Sequence, residues 1–180
     1  LALLSNLISK VDVLVIGGGM ANTFLLGRGT DIGKSLCEPD LADTARNIDT
    51  KASLADCEIV LPQDVVVAKT LEEGAQSNTV DVESVPQDSM VLDLGPIAIQ
   101  TISSRLSACK TIVWNGPLGA FEIPPFDAAT NAVAKAVASL CLEGKALAVA
   151  GGGDTVAALT HANVANEFSY LSTAGGAFLE

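Results

Sequence analysis

Residues 146–155 read ALAVAGGGDT, in which an apolar run ends in three glycines, followed by an aspartate and a threonine. Residues 145–150 have the composition of a buried strand, and the segment TVAALTHA predicts a helix after the glycines. Each glycine costs roughly 0.5–1 kcal/mol relative to alanine in a regular element, so the cluster needs a physical reason. This stretch alone leaves two interpretations open: a tight turn with Asp154 as helix cap, or a helix N-terminus that an anion approaches closely.

Similar glycine clusters stand at the ends of other predicted strands. They are Gly17–Gly19, Gly175–Gly176 and the stretch NGPLG at 115–119. Because strands and helices alternate along the chain, we predict an α/β fold. The expected architecture is a three-layer, Rossmann-like open sheet, mostly parallel, with helices on both faces. Ligands of such sheets bind outside the carboxyl ends of the strands, where these clusters would meet.

The spacing of apolar residues gives the expected elements. Strands are predicted at 11–16, 57–62, 64–69, 89–96, 145–150 and 168–173, with a strand running into a glycine-rich loop at 110–122 and an edge strand or loop at 79–86. Helices are predicted at about 39–55 and 127–140, with Asp127 as the N-cap of the second.

Composition excludes several classes of function. The chain has 180 residues, which suits one domain, and its net charge of −11 disfavours nucleic acids and anionic membranes as partners. No apolar run approaches the ~18 residues of a membrane span. The four cysteines lack C-x-x-C spacing and are interpreted as reduced thiols of a cytoplasmic protein. The single histidine, His161, has no Cys/His cluster beside it, which argues against zinc.

Two familiar phosphate-binding patterns are incomplete in this sequence. IGGGMANT has Asn22 where a dinucleotide fingerprint requires its third glycine, and DIGKS follows Arg28 where a P-loop requires its first glycine. The P-loop is therefore rejected. An NAD-dependent oxidoreductase stays as a weak alternative, and a non-catalytic nucleotide-binding module stays as another.

The stretch VWNGPLGAFE at 113–122 is compatible with a plain loop and also with a nucleotide site. Asn115, Gly116, Pro117 and Gly119 form a wall with few side chains, beside which an adenine ring would fit. Glu122 follows as an isolated acid, and proteins often bind ribose hydroxyls with a carboxylate.

Six strings together resemble the C-terminal, nucleotide-binding domain of bacterial-type phosphoglycerate kinases. They are IGGGMANTFL, DIGKSL, VLDLGP, TIVWNGPLGAFE, AGGGDT and STAGGAFLE, in the family's order and across nearly the whole chain. The resemblance implies reversible phosphoryl transfer between 1,3-bisphosphoglycerate and ADP, giving 3-phosphoglycerate and ATP, with Mg²⁺ as the accompanying ion. It also implies a cytoplasmic, monomeric enzyme of which residues 1–180 are one domain, with 3-phosphoglycerate bound by an absent N-terminal domain.

The resemblance also assigns site residues. Adenine would contact Gly17, Gly18, Leu36, Leu92, Pro117 and Ala120, and the ribose would contact Glu122. Phosphates would lie near Asn115, Gly116, Gly151, Gly152, Gly153 and Thr155, while Asp154 would bind Mg²⁺ largely through the nucleotide. Gly153, Gly175 and Gly176 would be catalytic, through backbone N–H groups directed at the transferred phosphoryl group.

Several family features differ or are missing. Ala174 replaces a glycine, which predicts strain of roughly 1 kcal/mol or more if that position needs a positive φ, and Ala120 replaces a larger valine. The family's lysine-bearing Gly-x-Lys segment and its phosphoglycerate domain would precede Leu1, and a tail would follow Glu180. We therefore expect these residues alone to bind Mg-nucleotide weakly and to lack kinase activity.

Overall fold

A computed structural model describes residues 2–172 and 174 of the chain. Its helices are α1 (Ala2–Leu7), α2 (Gly18–Gly27), α3 (Ala42–Leu54), α4 (Pro96–Ser107), α5 (Ala128–Leu142) and α6 (Gly153–His161). Its strands are β1 (Val13–Val15), β2 (Glu58–Val60), β3 (Asp64–Ala68), β4 (Ser77–Asp81), β5 (Met90–Leu94), β6 (Thr111–Asn115), β7 (Leu147–Gly151) and β8 (Tyr170–Ser172). Short 3₁₀ turns occupy Pro39–Leu41, Val82–Ser84 and Ala165–Glu167.

The strands form three hydrogen-bonded sheets within the described residues. β1 pairs with β2 and β6–β7–β8 pair in order, all parallel, whereas β4–β3–β5 is antiparallel. The expected α/β class with mostly parallel pairing is confirmed, and the edge strand or loop expected at 79–86 is the end of β4 followed by the turn Val82–Ser84. The antiparallel sheet was not foreseen. Residues 69–76 between β3 and β4 are too few for the helical crossover that parallel neighbours require.

Two apolar cores hold the elements together. Along β6, Ile112 and Trp114 point into the core beneath α5, while Val113 between them is exposed. The core around α5 includes the fully buried Val133 and Val137. A second core lies around Phe24 of α2 and Ile48 of α3. No helix in the described part of the chain is long and apolar enough to cross a membrane.

Two buried aspartates, each on a strand, cap the helices α4 and α5. Asp64 of β3 accepts hydrogen bonds from the N–H groups of Ile97 and Ala98 at the start of α4, at 3.0 and 2.7 Å. Asp93 of β5 accepts one from the N–H group of Ala129 in α5, at 3.0 Å. The first turn of a helix has no internal partner for its N–H groups, so side chains from neighbouring strands satisfy them here.

The sequence predicted the N-cap position of α5 correctly but assigned the capping hydrogen bond to the wrong carboxylate. Asp127 occupies the N-cap position, but its carboxylate accepts no hydrogen bond from the helix backbone. It instead accepts one from Asn131 Nδ2 at 2.8 Å and lies 2.9 Å from His161 Nε2. The capping carboxylate comes from Asp93, 34 residues earlier in the chain, because packing of β5 under α5 brings it there.

Candidate nucleotide site

The carboxyl ends of β6 and β7 place two of the predicted glycine clusters side by side. These strands are parallel neighbours, and Asn115 at the end of β6 is paired with Gly151 at the end of β7. The Gly116 N–H group donates a 2.7 Å hydrogen bond to Thr155 Oγ1, which ties the loop after β6 to the first turn of α6. Residues 115–122 and 151–155 therefore form one continuous edge.

The start of α6 has no side-chain cap among the described residues. Gly152 is the N-cap with φ +97°, a conformation that favours glycine. A Cβ at Gly153 would meet no described atom within 4 Å, so packing against the described residues does not explain this glycine. Asp154 is exposed in the first turn and does not cap it. The local structure fits an anion approaching the N-terminus of α6.

A second wall of the site comes from the start of α2. The Gly18 N–H group donates to the Leu118 carbonyl at 3.1 Å, and a Cβ on Gly17 would lie 2.7 Å from Leu118 Cδ2. Gly18 has φ +59° and faces the Pro117 carbonyl oxygen. Glycine at 17 and 18 thus lets the start of α2 approach the loop after β6.

Leu36 closes this wall from another loop. A Cβ on Gly19 would lie 3.3 Å from Leu36 Cδ2, and the Leu36 carbonyl accepts a hydrogen bond from Asn22 Nδ2 at 3.0 Å. The Leu36 side chain is nevertheless 80% exposed. An exposed leucine beside backbone without side chains provides a small apolar surface for a planar ligand. Asn22, which breaks the dinucleotide fingerprint, instead holds the loop that carries Leu36.

The remaining residues predicted to contact a nucleoside also lie along this loop. The Ala120 N–H group donates to the Leu92 carbonyl at 2.9 Å, which fixes the loop against the end region of β5. Glu122 is exposed two residues further on. Gly175 and Gly176 lie outside the described residues. Ala174 donates from its N–H group to Ser172 Oγ at 3.2 Å, and the strain expected there stays a prediction.

Two residues that support the loop after β6 were not predicted from the sequence. Asp93 and Thr130 are buried under the loop, and Thr130 Oγ1 accepts a hydrogen bond from the Leu118 N–H group at 3.1 Å. Burial raises the pKa of Asp93 to about 7, and the nearby charge of Asp127 acts in the same direction. The sequence signal was present, because Asp93 interrupts the apolar strand MVLDL. An acid in such a strand is rarely buried without a specific partner.

His161 and Asp127 form a partly exposed pair beside the same loop. The His161 ring also contacts Phe121 edge-on, with ring centroids 6.3 Å apart. The hydrogen bond from His161 is the main reason that the pKa of Asp127 lies below its usual value. The pair links α6 to the start of α5.

The described residues contain no cluster of three or more His, Cys, Asp or Glu side chains that could hold a metal ion by themselves. Asp154 stands as a single exposed carboxylate beside the open N-terminus of α6. One carboxylate is the kind of donor that shares Mg²⁺ with phosphate oxygens. The donor set thus fits an ion carried in with a phosphate ligand.

Comparisons with known sequences identify the relatives of this chain. The phosphoglycerate kinase family model matches residues 1–180. The chain is 60% identical over 178 residues to the phosphoglycerate kinase of Rhizobium leguminosarum bv. trifolii and 62% identical over 180 residues to that of Azorhizobium caulinodans. These alignments cover 99% and 100% of this chain but 44% and 46% of the relatives, so the chain spans less than half their length.

Solved structures show the same likeness in three dimensions. The phosphoglycerate kinase of Coxiella burnetii matches with a TM-score of 0.93 at 45% identity, covering 98% of this chain and 45% of that one. The enzyme of Pyrococcus horikoshii matches with a TM-score of 0.81 at 26% identity, covering 98% of this chain and 44% of that one.

Proposed function

The chain belongs to the phosphoglycerate kinase family, and from this premise we propose that residues 1–180 are the nucleotide-binding domain of such an enzyme. The domain binds Mg-ADP or Mg-ATP for reversible phosphoryl transfer between 1,3-bisphosphoglycerate and ADP. The observation that carries the proposal is the Gly116–Thr155 hydrogen bond of 2.7 Å. It joins the loop proposed to hold the nucleoside to the helix N-terminus proposed to hold the phosphates.

Within residues 1–180, the groups proposed for the phosphate end of the site are backbone N–H groups. With a net charge of −11, the chain has no broad positive field to attract phosphate. The N–H groups at the start of α6 supply local positive potential, and Gly152 and Gly153 leave room for phosphate to approach them. Asp154 would repel phosphate unless Mg²⁺ lay between them, so we assign it to the ion that accompanies the nucleotide.

The nucleoside end would lie where the start of α2 meets the loop after β6. The adenine ring would lie against the backbone of Gly17 and Gly18, with the exposed side chain of Leu36 and Pro117 beside it. Leu92 and Ala120, joined by their backbone hydrogen bond, form the base of this slot. Glu122 is exposed at the end of the loop, where its carboxylate would accept hydrogen bonds from the ribose hydroxyls.

The proposed chemistry needs positioning and charge stabilisation, because phosphoryl transfer requires little covalent participation by the protein. Mg²⁺ would neutralise the charge that develops on the phosphate oxygens. Gly153 would direct its backbone N–H group at the transferred group, and the family resemblance assigns the same role to Gly175 and Gly176. The acceptor, 3-phosphoglycerate, would be bound by a further domain of a cytoplasmic, monomeric enzyme, and domain closure would exclude water.

Titration calorimetry with Mg-ADP tests the proposal. We expect an isotherm that depends on Mg²⁺ and that Asp154→Ala largely removes. Asp40→Ala is the matched control, because Asp40 is also an exposed acid in the first turn of a short helix and lies outside the site. Unchanged binding in Asp154→Ala would refute the role given to that carboxylate.

Two activity measurements separate the proposal from its alternatives. Turnover of 3-phosphoglycerate by the 180 residues alone would contradict the need for a second domain. Nucleotide binding without phosphoryl transfer in the full-length protein would favour a non-catalytic binding module. Family membership argues against the NAD-dependent oxidoreductase, which would instead require enhanced NADH fluorescence on mixing.

A further inference from the structure

Asp93 lies directly behind the loop proposed to hold adenine. It follows Leu92 on β5, and its side chain is 1% exposed. Its Oδ2 accepts a hydrogen bond from the Ala129 N–H group, which secures the first turn of α5. One side chain therefore connects the strand that carries Leu92 to the helix that lies under the loop.

The other carboxylate oxygen of Asp93 faces the loop itself. A Cβ on Gly119 would overlap Asp93 Oδ1 and would also lie 2.8 Å from the Phe126 carbonyl oxygen. Oδ1 is inaccessible to solvent and has no hydrogen-bond partner among the described atoms. Leaving a buried polar oxygen unpartnered is unfavourable, so packing alone does not explain an aspartate at this position.

Two further hydrogen bonds fix the loop on either side of Gly119. The Leu118 N–H group donates to Thr130 Oγ1, and the Ala120 N–H group donates to the Leu92 carbonyl. Residues 118, 119 and 120 are thus each held against β5 or α5. The position of this segment fixes Pro117 and Ala120, which our proposed function places against the base.

We propose that Asp93 is a positioning residue for the nucleotide, because it sets the separation between α5 and residues 117–120 and thereby the width of the adenine slot. The inference rests on the proposed function. It concerns the base end of the site alone, since the described contacts of Asp93 are with the loop and the start of α5 and not with residues 151–155.

The charge state of Asp93 adds a pH signature to this role. With its pKa raised to about 7 by burial, the carboxyl changes protonation near neutral pH. Asp127 is the charged group that opposes its ionisation, while the N–H groups of Ala129, Leu94 and Ala128 favour it. His161 pairs with Asp127 and so moderates that opposition. Adenine-dependent binding should therefore change with pH near 7 in the native protein and lose this component in Asp93→Asn.

Calorimetry on the full-length protein with two probes, Mg-ADP and Mg-tripolyphosphate, tests the inference. Both probes carry phosphates, but only the first carries a base. Asp93→Ala should weaken Mg-ADP binding by about tenfold, because residues 117–120 would no longer be held at a fixed distance from α5, and should leave the tripolyphosphate Kd within about twofold. Asp93→Asn, which keeps an acceptor for Ala129, should restore most of the Mg-ADP affinity.

Thr130→Val is the second variant, because it removes the neighbouring anchor of the loop without changing Asp93. It should weaken Mg-ADP binding in the same direction and also spare tripolyphosphate. Asp64→Asn, at the other capping aspartate, is the control for general destabilisation and should change neither Kd. In the active enzyme, Asp93→Ala should raise the nucleotide KM more than it lowers kcat.

Three outcomes would overturn the inference. Equal losses for both probes would show that Asp93 acts on overall stability rather than on the base. Unchanged Mg-ADP binding in both Asp93→Ala and Thr130→Val would show that the slot does not depend on these anchors. Absence of Mg-ADP binding by the unsubstituted protein would refute the proposed function together with the inference, whereas the first two outcomes leave the proposed function standing.

Discussion

Asp64 and Asp93 occupy similar positions on the adjacent strands β3 and β5 of the antiparallel sheet. Both are buried, both accept hydrogen bonds from the first turn of a following helix, and both have a glycine packed against the carboxylate. Asp64 uses both oxygens, whereas Asp93 uses Oδ2 and leaves Oδ1 without a hydrogen-bond partner among the described atoms. The two carboxylates thus share a capping role but differ in hydrogen-bond completeness.

The difference between them follows from their neighbours. Asp64 faces Gly95 and the start of α4, where two backbone N–H groups are available. Asp93 accepts one hydrogen bond from α5, by Ala129, has the N–H groups of Leu94 and Ala128 nearby, and on its other side faces the loop that borders the proposed adenine slot. A fully satisfied carboxylate stabilises the fold, and an incompletely satisfied one gives up some stability. We interpret this lower stability at Asp93 as a consequence of its role in positioning the loop.

Replacing Asp64 with alanine should give the largest change in the free energy of unfolding, and replacing Asp93 with alanine should give a smaller one. Asp64→Ala deletes two charge-assisted hydrogen bonds and should lower the free energy of unfolding by about 3 kcal/mol. Asp93→Ala deletes one and also removes an unpartnered oxygen, so about 1–1.5 kcal/mol is expected. Chemical denaturation at pH 7 measures both. Equal losses would show that the missing partner of Asp93 has no energetic consequence.

Adding a methyl group to the facing glycines should destabilise both sites by about 1–3 kcal/mol, because a Cβ would overlap the carboxylate in each case. Gly119→Ala tests the pair with Asp93, and Gly95→Ala tests the pair with Asp64. In the Asp93→Ala background, Gly119→Ala should cost much less, since the overlapping atom is gone. Additive losses in this double-mutant cycle would contradict direct contact between the two positions.

Asp93→Asn should reveal the pH dependence of the unsatisfied carboxylate. The folded pKa of about 7 lies above the ordinary value of about 4, so between these values the native state binds the proton more tightly than the unfolded state. Stability from this group is therefore present at low pH and is lost as pH rises through 7. Chemical denaturation at pH 5 to 8 should show the free energy of unfolding of Asp93→Asn increasing, relative to that of the native protein, as the pH rises. A constant difference across this range would refute the raised pKa.

The smallest effect is expected at the partly exposed pair of His161 and Asp127. His161→Ala should cost less than about 1 kcal/mol, as is typical of exposed pairs. The lowered pKa of Asp127 contributes stability above its unfolded value, and this contribution is lost as pH falls through the folded value. Carboxyl titration by NMR should show the Asp127 pKa rising in His161→Ala. Thr160→Ala, at the exposed neighbour of His161, is the control and should leave the Asp127 pKa unchanged.

Elements with strong local patterns were predicted well. The alternation of strands and helices gave the α/β class, and the helix expected at 127–140 is α5 at Ala128–Leu142. The helix expected at about 39–55 divides into the turn Pro39–Leu41 and α3. Pairing direction within the β4–β3–β5 sheet was not predicted, because it depends on which strands meet in space rather than on the pattern of any one strand.

In the candidate site, too, some residues were predicted from the sequence and others were recognised only in the structure. The glycine clusters and Glu122 were found from the sequence, and the structure brings Gly17, Gly116 and the Gly152 turn to neighbouring loops. Asp93 and Thr130 were not found: the acid within the apolar strand MVLDL signals that Asp93 has a partner but does not say which one, and nothing local distinguishes a helix threonine that supports a distant loop. Asp127 was assigned the cap that Asp93 provides, because sequence proximity is a poor guide to partners across a packed core.

The sequence by itself determined where chain flexibility and close approach are needed, because glycine has backbone freedom that no other residue shares. It also determined the family, through six strings in a fixed order. Only the tertiary structure decided which carboxylate caps which helix and which loop each glycine faces. The hydrogen bonds among them join residues 12 to 39 positions apart, and Gly17 faces Leu118 from 101 positions away, so only the packing of strands, helices and loops brings these residues together.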